Sequence, residues 1–268
     1  MAKESTFAYK GSTALITGAS GGLGEVFAEQ LAEKGSNLVL VGRSEDKLLA
    51  LAQRLERQSK ITATVLTADL ASSSEVDQLV SNLKTRDLDI DLLINNAGFG
   101  VFQKFLDTPL KRQMEEIDVN VRAVVSLTHA LTPAMVARNK GGVINLSSSA
   151  GFQPVPGANV YAACKSFVLL FSEALAQELV ATGVRVLAVC PGPIATGFFA
   201  DKKPELTRNQ MDDPKVIVQQ TLRAFDRGKR VLVPGKLSVR LTAFSARLFP
   251  RALVAQFGER VVLKLNHV

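Results

Sequence analysis

Short apolar runs alternate with longer amphipathic stretches along most of the chain, and this alternation limits the possible folds more than any other feature. Residues 13–17, 38–41, 63–66, 92–94, 142–146 and 184–189 read as short buried strands, most of them closed by Gly, Asn, Asp, Ser or Pro. Between them, 25–34, 46–58, 73–83, 110–138 and 161–182 carry helical periodicity, with Ser44 and Ser72–Ser74 as helix-start signals. A helix over 214–227 and a seventh strand over 230–234 follow. Such regular alternation means βαβ units, hence a parallel sheet covered on both faces. No composition break or low-complexity linker interrupts it. The expectation is one α/β domain over residues 1–235 with a helical extension over 236–268.

The first strand runs into Thr17-Gly-Ala-Ser-Gly-Gly-Leu-Gly24. Glycines at 18, 22 and 24 allow a tight turn and let the backbone approach a pyrophosphate at a helix N-terminus. The spacing is G-x-x-x-G-x-G, and the Gly-Lys-Ser/Thr of a P-loop is missing. Further on, Tyr161-Ala-Ala-Cys-Lys165 sets a phenol and an ammonium four residues apart, one turn along a helix face. A free tyrosine titrates near ~10, and a close positive charge favours the phenolate. The sequence therefore predicts a phenol tuned downward for proton transfer. Ser148, thirteen residues earlier, can hydrogen-bond the same substrate oxygen, with Ser147 and Ser149 as rivals.

Other chemistries find little support. His129 and His267 are isolated, and Cys164 and Cys190 form no motif, so neither a metal site nor a histidine triad is expected. The two cysteines read as reduced core residues. The opening MAKESTFAYKGSTALITG lacks a signal-type apolar stretch, and no run approaches the ~18 apolar residues of a membrane span. A cytoplasmic setting is expected.

Five motifs in order resemble the short-chain dehydrogenase/reductase family over about residues 10–235: 17–24, Asp69-Leu70, Asn95-Asn-Ala-Gly98, Ser148 with Tyr161 and Lys165, and Pro191-Gly-Pro-Ile-Ala-Thr196. The resemblance implies a three-layer, doubly wound Rossmann fold with a seven-stranded parallel sheet. It implies cofactor contacts from Gly18, Ser20, Gly21, Gly22, Leu23, Gly24, Ala97, Gly98, Tyr161, Lys165, Pro191 and Gly192. Asp69 and Leu70 would line the adenine pocket, Asn96 would lie near the ribose, and Ile194 and Thr196 would hold the nicotinamide carboxamide. It makes Tyr161 the acid that protonates a carbonyl oxygen, Lys165 its electrostatic partner and a ribose ligand, and Ser148 the group that orients the carbonyl. Asn120 completes the tetrad through a bound water. For Asp69 a plain helix-capping role stays open, and Asn95 is expected to tie neighbouring strands.

After the second strand, Val41-Gly42-Arg43-Ser44 has glycine where an NAD enzyme usually offers a carboxylate to the ribose 2′-hydroxyl. Arg43 suits a 2′-phosphate, with Ser20 and Ser44 adding hydroxyls, so NADP is the expected cofactor. Gly21 stands where many NADP-preferring relatives carry a second basic residue. Phe99, Phe102, Phe152, Phe198 and Phe199 concentrate apolar surface on the expected substrate side, pointing to a lipophilic ketone or aldehyde or the matching alcohol. Each phenylalanine has a core reading beside it. The stretch 197–213 reads as a mobile lid. A 3-oxoacyl thioester reductase and a non-catalytic NADP-binding regulator are the other readings. A homodimer or homotetramer through 110–138 and 161–182 follows from the resemblance.

The net charge of +7 is unevenly placed: from Arg223 onward ten Lys/Arg face only Asp226 and Glu259. Those cations alternate with apolar residues at helical spacing on both sides of Pro250. Three uses stay open: packing on the domain as a cleft cover or subunit contact, a peripheral membrane surface, or attraction of an acidic partner. Nucleic acid is not an expected partner, since no recognition motif accompanies the charge.

Overall fold

The computed structural model describes residues 7–199, 211–246 and 248–266. Seven strands form one sheet: β1 (Thr13–Thr17), β2 (Asn37–Gly42), β3 (Ala63–Thr67), β4 (Leu92–Asn95), β5 (Gly141–Leu146), β6 (Val184–Val189) and β7 (Val231–Leu232). Their order is β3-β2-β1-β4-β5-β6-β7, and every pairing is parallel. The strand order reverses between β1 and β4. In open α/β sheets that switch point leaves a crevice at the carboxyl ends of the strands, where ligands bind.

Side-chain alternation divides the core into two layers. Ala14 and Ile16 of β1, with Leu38 and Leu40 of β2, face α1 (Gly22–Glu33), α2 (Glu45–Ser59) and α7 (Pro214–Asp226). Leu15, Val39 and Val41 point the other way, onto α3 (Ser73–Thr85), α5 (Ala123–Ala137) and α6 (Asn159–Glu178). A strand buried on both faces has no polar side, which is why these strands read as continuous apolar runs.

One local expectation needs correction. The single helix expected over 110–138 is α4 (Leu110–Ile117), a π-turn over Asp118–Arg122 and then α5. The Asn120 side-chain amide donates to the Glu116 carbonyl at 2.9 Å, the acceptor that a regular turn offers to the Asn120 backbone N–H. Ser44 and Ser72 mark helix starts as expected, standing directly before α2 and α3, and Ser72 Oγ also accepts from the Glu75 N–H at 3.3 Å. The tail forms α8 (Leu237–Ser245) and α9 (Arg251–Asn266).

Candidate active site

A cleft of about 450 Å³ opens at the carboxyl ends of β1, β4, β5 and β6. Its floor begins at the turn after β1, where Gly18 and Gly22 have φ of +65° and +59°, a region that favours glycine. A Cβ on Gly24 would collide with the Gly18 carbonyl, so glycine there lets α1 start directly against the turn. Gly21 has nothing within 4 Å of the position a Cβ would take, leaving its backbone open to the cleft. Bare backbone at a helix N-terminus is a cradle for a phosphate-bearing ligand, and the residues present fit a dinucleotide.

The turn is braced from β4. Thr17 Oγ1 accepts from the Asn96 and Ala97 N–H groups, both at 3.0 Å. The Asn96 amide donates to the Thr17 carbonyl at 2.9 Å and the Gly18 carbonyl at 3.3 Å. Asn96 lines the cleft, but its amide group is committed to holding the turn. Asn95 donates to Thr128 Oγ1 at 3.1 Å and to Asn145 Oδ1 at 2.8 Å, tying β4 to β5 and α5 as expected.

The residues grouped by the sequence separate into two sets. Gly18, Ser20, Gly21, Gly22, Leu23, Asn96, Ala97, Gly98, Ser148, Tyr161, Lys165, Pro191, Gly192, Ile194 and Thr196 all line this cleft. Arg43, Ser44, Asp69, Leu70, Gly24 and Asn120 are not part of its wall. Arg43 and Ser44 lie exposed at the end of β2, and Leu70 is buried at the end of β3. Asp69 Oδ1 accepts from the Ala71 N–H at 3.0 Å, folding the turn into α3. Asn120 is fully buried beneath Gly98, where a Cβ would stand 2.6 Å from Asn120 Oδ1 and 3.2 Å from Lys165 Nζ.

Tyr161 and Lys165 sit in the first turns of α6, both buried. Lys165 Nζ donates to the Leu146 carbonyl at 2.9 Å and lies 5.7 Å from the centre of the Tyr161 ring. Ser147 is removed from rivalry with Ser148 because its hydroxyl donates to the Lys165 carbonyl at 2.7 Å. Ser148 and Ser149 both line the cleft, and of the two it is Ser148 that favours the Tyr161 phenolate.

The expected direction of the phenol's shift is reversed. Burial pushes Tyr161 up to about 12, against a smaller downward pull from the neighbouring Ser148 side chain. Burial likewise brings Lys165 down to about 8. Desolvation penalises both charged forms, and here it outweighs the attraction between ammonium and phenolate. Sequence reasoning also missed Glu116, whose carboxylate is almost wholly enclosed on α4 and accepts from the Val101 N–H at 2.9 Å. Its negative charge opposes ionisation of Tyr161. In sequence Glu115-Glu116 reads as a solvated helix face; the available signal was its position four residues before Asn120, on the same face.

The phenylalanines divide too. Phe102 and Phe198 line the cleft and enclose Tyr161, with ring centres 5.7 and 5.8 Å from it and 6.3 Å from each other. Phe99 lies under the Arg112 guanidinium, 4.0 Å from its ring centre, and Phe152 packs against the small cluster of Leu169, Ala188 and Cys190. The Phe199 side chain lies outside the described residues, as does 200–210, most of the expected lid. Past it, Asp212 pairs with Ile194 as an isolated bridge. The tail reaches the same cleft: a Cβ on Gly192 would meet Val239 of α8 at 2.7 Å, and Gly258 of α9 lines the wall against Pro154 and Val155.

A doubly wound sheet with a glycine turn, and a buried Tyr–Lys pair across the crevice from it, is the architecture of the Rossmann oxidoreductases. Residues 12–207 match the family model for short chain dehydrogenase. A human very-long-chain 3-oxoacyl-CoA reductase is 34% identical over 217 residues, covering 80% of this chain and 68% of that one. The enzyme of the same name from Phaeosphaeria nodorum is 36% identical over 273 residues, covering 98% of this chain and 77% of that one. A short-chain dehydrogenase from Sphingobium yanoikuyae, solved in complex with NADPH, superposes with a TM-score of 0.79 at 32% identity, covering 88% of this chain and 93% of the other. The chain belongs to the short-chain dehydrogenase family, and it is an oxidoreductase of that family.

Proposed function

We propose that this oxidoreductase uses NADP(H) to reduce a lipophilic ketone or aldehyde, and to oxidise the corresponding alcohol in reverse. The observation that carries the reading is the buried Tyr161 phenol, lining the cleft of the glycine turn together with Ser148 and walled by Phe102 and Phe198. When bound, the cofactor supplies a hydride to the carbonyl carbon. Tyr161 gives its proton to the carbonyl oxygen, and Ser148 donates a hydrogen bond to the same oxygen. Lys165, cationic below about pH 8, stabilises the phenolate left behind. Asn120 Oδ1, buried without a hydrogen-bond partner and facing Gly98 beside Lys165, suits a water that returns a proton to the site.

In this reading residues 1–235 form the cofactor-binding oxidoreductase domain, and 236–268 close the substrate side through Val239 and Gly258. The glycine turn holds the pyrophosphate, Asp69 and Leu70 flank the adenine, and Ile194 and Thr196 hold the carboxamide. Ser20 and Ser44 flank the 2′-phosphate. The protein works in the cytoplasm as a homodimer or homotetramer. A single charge-assisted contact between Arg43 and the 2′-phosphate would contribute about 1.5–3 kcal/mol. Arg43→Ala is therefore expected to lower the ratio of kcat/KM for NADPH over NADH about 10- to 100-fold. An unchanged ratio would remove Arg43 from cofactor recognition.

A narrower reading, reduction of a 3-oxoacyl thioester, is favoured by the reductase from Phaeosphaeria nodorum, which aligns along 98% of this chain. A panel of hydrophobic ketones, aldehydes and 3-oxoacyl thioesters with NADPH, followed by the loss of reduced-cofactor absorbance, tests both readings. Turnover confined to thioesters selects the second. Inactivity across the panel favours a non-catalytic NADP-binding regulator.

A further inference from the structure

The two tail helices leave an apolar face uncovered. On α8, Ala243 is buried against the domain, while Leu237, Leu241 and Phe244 share the opposite stripe. On α9, Val254 and Gly258 face inward and Phe257 faces out. With Leu248 and Phe249 between the helices, these outward side chains are 59–68% exposed, more than isolated surface residues explain. Lys236, Arg240, Arg251 and Arg260 are exposed around them, and Glu259 is the sole acid after Asp226. Insertable apolar side chains bordered by cations, on helices whose other face is already packed, complement an anionic bilayer surface. An acidic protein would match the charge but not the protruding apolar row. The face also adjoins the cleft, because Val239 and Gly258 of these same helices border its wall.

We propose that α8 and α9 dock the protein on an anionic lipid bilayer, with the mouth of the cleft turned to the interface so that a lipophilic substrate reaches Tyr161 from the membrane. The delivery step rests on the reductase reading above; the docking step does not.

Co-sedimentation of the full chain with phosphatidylcholine vesicles, with and without phosphatidylserine, tests the docking. Binding is expected to phosphatidylserine vesicles, at least ~10-fold weaker to phosphatidylcholine alone, and weaker again in high salt. Arg251→Glu with Arg260→Glu, and separately Leu241→Ser with Phe244→Ser, are each expected to reduce binding at least ~10-fold. Reduction of a short water-soluble ketone should stay at the wild-type rate in both. Failure of the wild type to bind, or wild-type binding by either double variant, overturns the proposal. Sedimentation velocity without lipid covers the remaining occupant: self-association abolished by the same variants, with no vesicle binding, would assign the face to a second copy and overturn it too. Should no ketone be turned over, the vesicle assay still decides the docking.

Discussion

Replacing Tyr161 by phenylalanine is expected to slow carbonyl reduction by about 10²- to 10⁴-fold while leaving NADPH affinity intact. The substitution removes only a hydroxyl, and the ring keeps its contacts with Phe102 and Phe198. What disappears is the phenolic proton donor beside Ser148, inside the enclosure that Phe102 and Phe198 form. Held near 12, this phenol keeps its proton throughout the neutral range, which is the form that reduction requires. Steady-state kinetics on the best ketone of the panel, with NADPH binding followed by fluorescence, makes the measurement. Wild-type turnover would rule out Tyr161 as the acid. Lost turnover together with lost NADPH binding would point to a damaged cleft instead.

Lys165→Met is expected to lose turnover by at least ~10²-fold and yet gain stability at neutral pH. The buried ammonium titrates near 8 in the folded protein, against 10.5 when exposed. Below about pH 8 both states carry the proton, and folding bears the full cost of burying it, about 3 kcal/mol. Between 8 and 10.5 the unfolded chain binds more protons than the folded one, so this group makes stability rise with pH. The variant escapes the cost but leaves the Leu146 carbonyl without its donor, a loss of about 1 kcal/mol. Urea unfolding should therefore favour the variant at pH 7, with the wild type gaining on it by about 3 kcal/mol toward pH 10.5. Cys164, pushed up to about 11 by burial, is present in both proteins, so its own titration largely cancels in the comparison. An identical difference at both pH values would show that Lys165 is not the buried cation described here.

A buried lysine of this kind is unfavourable for the fold that carries it. The pair is held by α6 against β5, and its neighbours Glu116 and Cys190 come from α4 and the end of β6. Nothing in Tyr161-Ala-Ala-Cys-Lys165 announces that company. The four-residue spacing correctly set both side chains on one helix face, but spacing carries no information about how much water remains there.

Much of the scaffold was legible from patterning. Leu38-Val-Leu-Val41 is apolar at every position because both faces of β2 are covered, and Gly18 and Gly22 stand where φ is positive. Other features were hidden for identifiable reasons. The π-turn at Asp118–Arg122 depends on one side-chain amide donating to a backbone carbonyl, which periodicity does not report. Glu116 looks like a solvated helix charge until the Val101 loop closes over it. Asn96, identified from its motif, turned out to hold the glycine turn with its amide.

Local patterning was thus enough for the parallel sheet, the glycine turn and the placing of Tyr161 and Lys165 on one helix face, because side-chain period and glycine's backbone freedom are properties of a few consecutive residues; Ser148 joined them only through the family resemblance. The charge balance at Tyr161 and Lys165, and which stripe of α8 and α9 remains in water, emerged only in the packed fold. Desolvation and burial depend on neighbours drawn from distant parts of the chain, and no short window of sequence contains them.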